Sequence, residues 1–295
     1  MSRIVSFDQK EWFVEMSFPG VRRCKTDIFR IHKDIFRGKS KFQDIHVFES
    51  NGFGRMLSLD GIIQFSQSDE FIYHEVIAHI PLLVHPNPKR FLVVGGGDGG
   101  VLREAEKHPL KELYQVEIDR EIVDISKKYL PFVSKGAFND KRLTIAFEDG
   151  NAFMNRFKGF FDVMVVDSTD PVGPGKVLFE KPFYSKVYDA LGKEGVAIFQ
   201  LGPMLDFDLI IRDTAKKLKT LFKHVVPVRL AMPSYSCGCE YCFLLATKKQ
   251  DPTKIAPAVF KKRMQSRLGS KMAGLKYLTP EMVSASMVAP KLWQF

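Results

Sequence analysis

No stretch of this 295-residue chain approaches the ~18 consecutive apolar residues that mark a membrane-spanning helix. The opening Met1-Ser2-Arg3-Ile4 has no apolar leader core before the charged and aromatic mix of Asp8 to Glu15, so a cytoplasmic protein without a membrane partner is expected. Cysteine is scarce: 4 residues cannot make a disulfide framework in a chain this long. Three of them, Cys237, Cys239 and Cys242, fall together in an expected turn and strand. Thiolate zinc sites need four ligands in recognised spacings, and no partner pair is evident, so no metal is expected. Repeats and low-complexity tracts are missing. So is any basic block: 44 Lys and Arg against 34 Asp and Glu give a net charge of +10, but they are spread along the chain. That distribution reads as a solvated basic surface rather than a nucleic-acid footprint. What is present is an ordinary globular composition, 45% hydrophobic and 26% charged, in which 26 phenylalanines and 11 methionines read as core.

Up to about Gln67 the texture is short and strand-like. Trp12 to Val14, Ile28 to Ile31, Asp44 to Phe48 and Met56 to Leu59 are separated by Gly20, Gly38, Gly54 and Gly61. Asp69 then stands at the N-cap of a helix running to about Val84, with Ile72, Val76, Ile80 and Leu83 as its apolar stripe and Pro86 and Pro88 beyond its end. From Arg90 strand and helix alternate. Phe91 to Val94, Leu113 to Glu117, Leu143 to Phe147, Phe161 to Asp167 and Val196 to Gln200 are buried-strand runs. The helical stretches are Val101 to His108, Asp119 to Tyr129 and Phe183 to Leu191. This alternation signifies a doubly wound parallel sheet, with Val225 to Met232 and Tyr241 to Thr247 as an edge hairpin. The expected organisation is a small β-rich domain over 1–68 and an α/β domain over 69–295.

The sharpest motif is Gly95-Gly96-Gly97-Asp98-Gly99-Gly100, directly after a strand and opening a helix. Gly95, Gly97 and Gly100 have dinucleotide-type spacing, where missing side chains let backbone turn tightly against a ligand. Glu117, 22 residues after Gly95, ends the next strand where a carboxylate can accept from ribose hydroxyls. Glu148-Asp149-Gly150 follows the third strand at the same sheet edge, and an acid there suits an adenine amino group. Either acid alone would read as a strand end; three strand ends in register read as a nucleoside site. The fourth strand ends in Asp167-Ser168-Thr169-Asp170-Pro171, two carboxylates on a stiffened loop facing the same crevice.

Asp98, Glu117, Asp149, Asp167 and Asp170 together would repel a pyrophosphate, which argues against a nicotinamide dehydrogenase. They would also repel a donor carboxylate beside Asp98. Two like charges about 4 Å apart cost roughly 4 kcal/mol at an effective dielectric of 20, close to a thousandfold in affinity. The expected ligand is cationic.

Taken together, these residues resemble the spermidine synthase family of aminopropyltransferases. The resemblance runs from Trp12 to about Pro290. Besides the glycine loop it includes Lys41-Phe42-Gln43-Asp44, Leu59-Asp60-Gly61-Ile62-Ile63-Gln64, Asp69-Glu70-Phe71-Ile72-Tyr73-His74-Glu75, Asp167 to Pro171, and Leu178-Phe179. It implies a Rossmann-like, methyltransferase-type sheet behind a small N-terminal β domain, and a homodimer or homotetramer. It also implies decarboxylated S-adenosylmethionine as co-substrate with no further cofactor. Putrescine is the implied acceptor, and spermidine and methylthioadenosine the products. Carried over by motif, Gln43, Gly95, Gly97, Asp98, Glu117, Asp149 and Gly150 would hold the donor. Gln64, Tyr73, His74, Asp167, Asp170 and Tyr235 would line the acceptor side. Asp167 would take the acceptor's proton, Tyr73 orient its nitrogen, and Asp170 bind it as a cation.

Three departures fall on the acceptor side. Gln200-Leu201-Gly202-Pro203-Met204 lacks the family's usual acid just past Gln200; the nearest are Asp206 and Asp208. Ser234-Tyr235-Ser236-Cys237 replaces a Tyr-Pro-Ser-Gly pattern, and Val283-Ser284 stands where a histidine is common. The acceptor could therefore be agmatine, cadaverine or spermidine, with Glu240 as an extra cation site. A methyltransferase on the same fold is the main rival, but it gains nothing from Asp98 or the paired Asp167 and Asp170. A basic nucleic-acid module with a dead nucleoside site would have no use for the intact acid set.

Overall fold

The computed structural model describes residues 3–15, 26–168, 173–235 and 239–293. Alternation with period 2 builds an N-terminal antiparallel meander: β1 (Arg3–Phe7), β2 (Lys10–Val14), β3 (Ile28–Lys39), β4 (Asp44–Ser50), β5 (Gly54–Leu59) and β6 (Ile62–Ser66), paired in chain order. The β5–β6 turn is Asp60-Gly61. Both residues have positive φ, 49° and 82°, which is the two-residue turn that matches strand twist. Both faces of β4 are covered: Ile45 and Val47 join one cluster, Phe48 the other. The first cluster packs on Ile122, Val123, Leu130 and Val133, and so seats the meander on the second sheet's helices.

The second sheet has the order β12-β13-β11-β10-β7-β8-β9. Its strands are β7 (Arg90–Gly95), β8 (Glu112–Glu117), β9 (Leu143–Phe147), β10 (Phe161–Asp167), β11 (Leu191–Pro203), β12 (His224–Ala231) and β13 (Glu240–Thr247). The helices are α1 (Glu70–Val84), α2 (Gly100–Ala105), α3 (Arg120–Tyr129), α4 (Pro131–Ser134), α5 (Gly150–Phe153), α6 (Lys181–Ala190), α7 (Asp208–Lys219), α8 (Pro257–Leu268) and α9 (Pro280–Ser286). Strands β7 to β11 are parallel; β13 and β12 close one edge antiparallel. Alternate residues of β7 serve opposite cores, Phe91 and Val93 on one face, Leu92 and Val94 on the other. Helices cover both faces, the arrangement a parallel sheet requires. The chain runs outward from β7 to β9 and returns to β10 on the other side of β7. That reversal leaves a crevice between the carboxyl ends of β7 and β10, where Gly95 and Asp167 are paired in register.

Two strands escaped the sequence reading, β1 and β6. Each is a run of 5 residues that a neighbour completes rather than a self-evident pattern. Asp69 occupies the N-cap position of α1, but its carboxylate caps no helix amide. It accepts instead from Ser66 Oγ at 2.7 Å and from Ser234 N and Oγ at 2.7 and 2.9 Å. Long-range partners outcompeted the local cap.

Helix α1 is buried almost all round, not only along one stripe. Its Glu75, 2% exposed, accepts from the backbone N–H groups of Lys276, Tyr277 and Leu278 at 2.7, 3.0 and 2.8 Å. Glu75→Ala removes the partner of all three donors at once. We expect a loss of about 3 kcal/mol in urea denaturation, each orphaned buried donor costing about 1–3 kcal/mol where water cannot reach it. An unchanged midpoint would refute this clamp.

Candidate active site

A cavity of about 340 Å³ opens at the β7–β10 crevice, between the second sheet and the β5–β6 end of the meander. The loop leaving β7 shapes its floor. Gly95 has φ +85°, and a Cβ there would stand 2.1 Å from the Asp167 carbonyl oxygen. The pairing of β7 with β10 therefore excludes any side chain at Gly95. Gly96 N donates to that same oxygen at 3.1 Å. Gly100 is required for a different reason: a Cβ there would lie 2.4 Å from the His74 ring. From the middle of β8, the fully buried Gln115 donates to the Gly95 and Gly96 carbonyls at 2.9 and 2.8 Å. Sequence reasoning missed Gln115; its signal is an amide between Tyr114 and Val116 in the middle of a strand.

All the expected donor residues line this cavity. Asp98 Oδ1 accepts from Gly100 N at 2.6 Å and lies 3.4 Å from His74 Nε2. Burial works against its charge, but His74 and the Gly100 amide hold its carboxyl below the usual range. Glu117, 8% exposed, accepts from Asp119 N at 2.9 Å. Burial, with the Asp119 charge adding to it, pushes Glu117 up to about 7. Gln43 reaches across from the meander and donates to Asp119 at 2.8 Å, tying the two sheets together at the cavity wall. Asp149 caps α5 by accepting from Ala152 N at 2.8 Å, with Gly150 beside it.

On the other side, Tyr73 Oη donates to Asp167 Oδ1 at 2.5 Å. Burial and the neighbouring Asp98 charge push Asp167 up to about 6, against the pull of Tyr73 and His74. Burial and the Asp167 charge drive the Tyr73 hydroxyl well above its ordinary value, so it stays a donor. Tyr73 meets Tyr235, Tyr241 and Phe243 edge-on, with ring centroids 6.2, 5.9 and 5.0 Å away. Tyr235 Oη donates to the Gln64 carbonyl, and the Gln64 side chain to the Ile62 carbonyl at 3.2 Å. Tyr73, Tyr235 and Tyr241 line the cavity, with Phe243 behind them, and such a set of rings with carboxylates at one end suits a slender amine with a cationic head.

Asp170 and Cys237 lie outside the described residues. His74 lines the cavity beside Tyr73, with its Nδ1 at 2.6 Å from Glu70 and its Nε2 at 3.4 Å from Asp98. One sequence expectation needs correction. Glu240 is not on the cavity; Arg229, near it on the neighbouring strand, donates to both its oxygens at 2.8 and 2.6 Å. Ser284, on α9, is also absent from the cavity wall, and so is Asp208, which Arg212 holds at 2.6 Å. Asp206 and Gln200 do line it, as do Glu15 and Asp60, which the sequence reading did not single out. Glu15 gave no local signal: it follows a strand, and only folding brings its carboxylate to Ile63 N at 3.2 Å. Among the described residues, no three His, Cys, Asp or Glu side chains converge as a metal site, and no helix is long and apolar enough to cross a membrane.

Comparison with known proteins adds a second line of argument. Residues 70–255 match the spermine/spermidine synthase domain, and residues 11–67 the spermidine synthase tetramerisation domain. A polyamine aminopropyltransferase of Caldicellulosiruptor saccharolyticus is 41% identical over 286 residues, covering 96% of each chain. Polyamine aminopropyltransferase 1 of Aquifex aeolicus is 41% identical over 239 residues, 80% of this chain and 83% of that one. Among solved structures, a spermidine synthase in complex with the transition-state analogue AdoDATO superposes with a TM-score of 0.86 at 32% identity, covering 95% of this chain and 92% of that one. The Thermotoga maritima spermidine synthase gives 0.84 at 31%, covering 95% and 91%.

The geometry of the loop is itself testable. Gly95→Ala adds a methyl against fixed backbone at a left-handed φ, so β7 and β10 must separate. Strain of this kind and overpacking cost about 1–3 kcal/mol each. We expect a matching loss in urea denaturation, with Asp167 displaced. Wild-type stability in this variant would show that the strands part freely there.

Proposed function

The chain belongs to the spermine/spermidine synthase family, and from that membership we propose that it moves the aminopropyl group of decarboxylated S-adenosylmethionine onto putrescine. The products are spermidine and methylthioadenosine. The observation that carries this reading is the Asp167–Tyr73 pair, set in register with the glycine loop and facing the Asp98 side of one cavity. Gln43, Glu117, Asp149 and Gly150 are assigned to the nucleoside, and Asp98 to the ammonium of the aminopropyl tail. Asp98 and His74 form a close ion pair, so Asp98 recognises a cation without adding a full net charge to the cavity. Gln64, Tyr235 and the aromatic box take the acceptor. Asp170, assigned to the same acceptor by its motif, is kept in that role.

The acceptor nitrogen attacks the methylene carbon beside the sulfonium. Its lone pair forms the C–N bond, the C–S pair leaves on sulfur, and neutral methylthioadenosine departs. Only an unprotonated amine can do this. An amine of pKa about 10.4 is disfavoured in that form by roughly 4.6 kcal/mol at pH 7. Asp167 receives the proton, and its rise from 3.8 to about 6 brings it about two pH units closer to the amine, worth about 3 kcal/mol. Tyr73 fixes the carboxylate's orientation while remaining protonated. Placement of both substrates in one cavity supplies much of the remaining acceleration.

No cofactor enters this scheme, because the sulfonium carries its own leaving group. We assign the protein to the cytoplasm, in keeping with the free thiols of Cys239 and Cys242. We read it as a homodimer or homotetramer without nucleic-acid or membrane partners. The matched tetramerisation segment supports assembly, and Phe7 and Ile28 leave apolar surface on that sheet, 70% and 56% exposed.

The test is an acceptor panel of putrescine, cadaverine, agmatine and spermidine with each sulfonium donor, read by product mass. Methylthioadenosine with spermidine is expected; adenosylhomocysteine would make the protein a methyltransferase, and an inert putrescine would shift the acceptor. Activity requires ionised Asp167, so kcat/KM should fall as pH drops through about 6. Asp167→Asn should lower kcat by about 10²- to 10⁴-fold, the usual range for a lost general base.

A further inference from the structure

From the cavity wall a row of largely buried side chains runs back into the protein, and beyond Asp98 and His74 the reaction scheme does not use it. It starts at Asp98 and His74, 3.4 Å apart, and passes from His74 Nδ1 to Glu70 at 2.6 Å. Arg103 grips both Glu70 oxygens from α2, at 2.9 and 2.8 Å, and donates to the Val133 carbonyl at 2.7 Å. From Arg103 Nε the row continues to Glu104 at 2.7 Å, which Lys107 also meets at 2.5 Å. His79 bridges Glu104 and His108 at 2.8 and 2.7 Å and closes the row. Asp98, Glu70 and Glu104 alternate with His74, Arg103 and Lys107, so with His74 protonated the charges cancel. An alternating row is the arrangement in which buried ions compensate one another's desolvation.

His74 has no freedom to do anything else. Both ring nitrogens are committed, its face lies where only glycine fits at Gly100, and Phe65 from β6 meets it edge-on at 6.4 Å. The charged groups around it are Glu70 on its own helix, Asp98 on the glycine loop, and Asp167 at the end of β10; Tyr73 packs beside it.

We propose that Glu70 and Arg103, neither of which touches the cavity, are positioning residues of the reaction: they hold His74 as a fixed cation against Asp98, so that Asp98 remains the anion and Asp167 is the carboxylate that takes the proton. This rests on the aminopropyl-transfer reading given above. The electrostatics follow the geometry. Burial opposes charge on His74, yet Asp98 and Glu70 raise its ring to about 10. Burial likewise opposes charge on Glu70, which His74 and Arg103 bring down to about 2. Asp98 is lowered and Asp167 raised, the separation that assigns one carboxylate to binding and its neighbour to proton transfer. The His74 charge also restrains Asp167 from rising further.

The test combines histidine NMR with pH–rate profiles. In ¹⁵N-histidine wild-type protein, the His74 ring should stay protonated from about pH 6 to about pH 9, and in Glu70→Gln it should lose its proton inside that window. In His74→Gln, which keeps an N–H donor but no charge, Asp167 loses its restraining cation. Its acid limb should move up by about one pH unit, a deficit in kcat/KM of about fivefold near pH 6 that approaches tenfold below it and shrinks as the pH rises. A wild-type ring already neutral at pH 8 overturns the proposal whether or not either variant folds. So does a Glu70→Gln ring that titrates like the wild type, or a His74→Gln deficit equal at every pH. Failure of wild-type protein to release methylthioadenosine would instead sink the functional reading, while the ring titrations would still judge the row.

Discussion

The organisation of this protein turns on a single constraint: several carboxylates must share a cavity of about 340 Å³ without driving one another out of it or out of their charged state. Each answers the constraint differently. Asp98 leans on His74, Asp149 on a helix amide, and Glu117 on the Asp119 amide while its proton affinity rises. Asp167 has the Tyr73 hydroxyl and the more distant His74 charge, yet its carboxyl is pushed upward. The inequality among these supports gives chemically identical groups separate tasks.

Sheet topology makes the constraint possible. A doubly wound sheet whose chain reverses at β7 must part its connections there, and it parts them at the carboxyl ends of β7 and β10. The glycine loop then brings backbone so close to β10 that Gly95 and Asp167 become one structural unit. The meander supplies the opposite wall, fastened through Gln43 to Asp119 and through apolar packing on α3 and α4.

Much of this was legible in the sequence because it is encoded locally. The glycine spacing, the acids at successive strand ends and the Tyr73-His74 pair each sit beside the element that positions them, and the structure brings all the described ones to one cavity. What stayed hidden depended on contacts between distant segments. Nothing near Asp69 says that its carboxylate will hold Ser234 rather than cap its own helix. Nothing near Glu240 says that Arg229 will claim it. The partners of the His74 ring stayed hidden for the same reason: one of them is on another element. Gln115 and Glu15 were passed over because their sequence neighbours do not show what lies opposite them, the glycine loop for one and Ile63 for the other.

The bond between Asp69 and Ser234 joins residues 165 apart in sequence, and it ties an early-synthesised part of the cavity to a late one. The residues assigned to the nucleoside lie between Gln43 and Gly150, so all of them are synthesised before the last third of the chain. Ser234 and Tyr235 belong to that last third, and they reach back to the start of α1 and to the Gln64 carbonyl. A growing chain therefore holds every residue of one wall before it holds the residues that close the other.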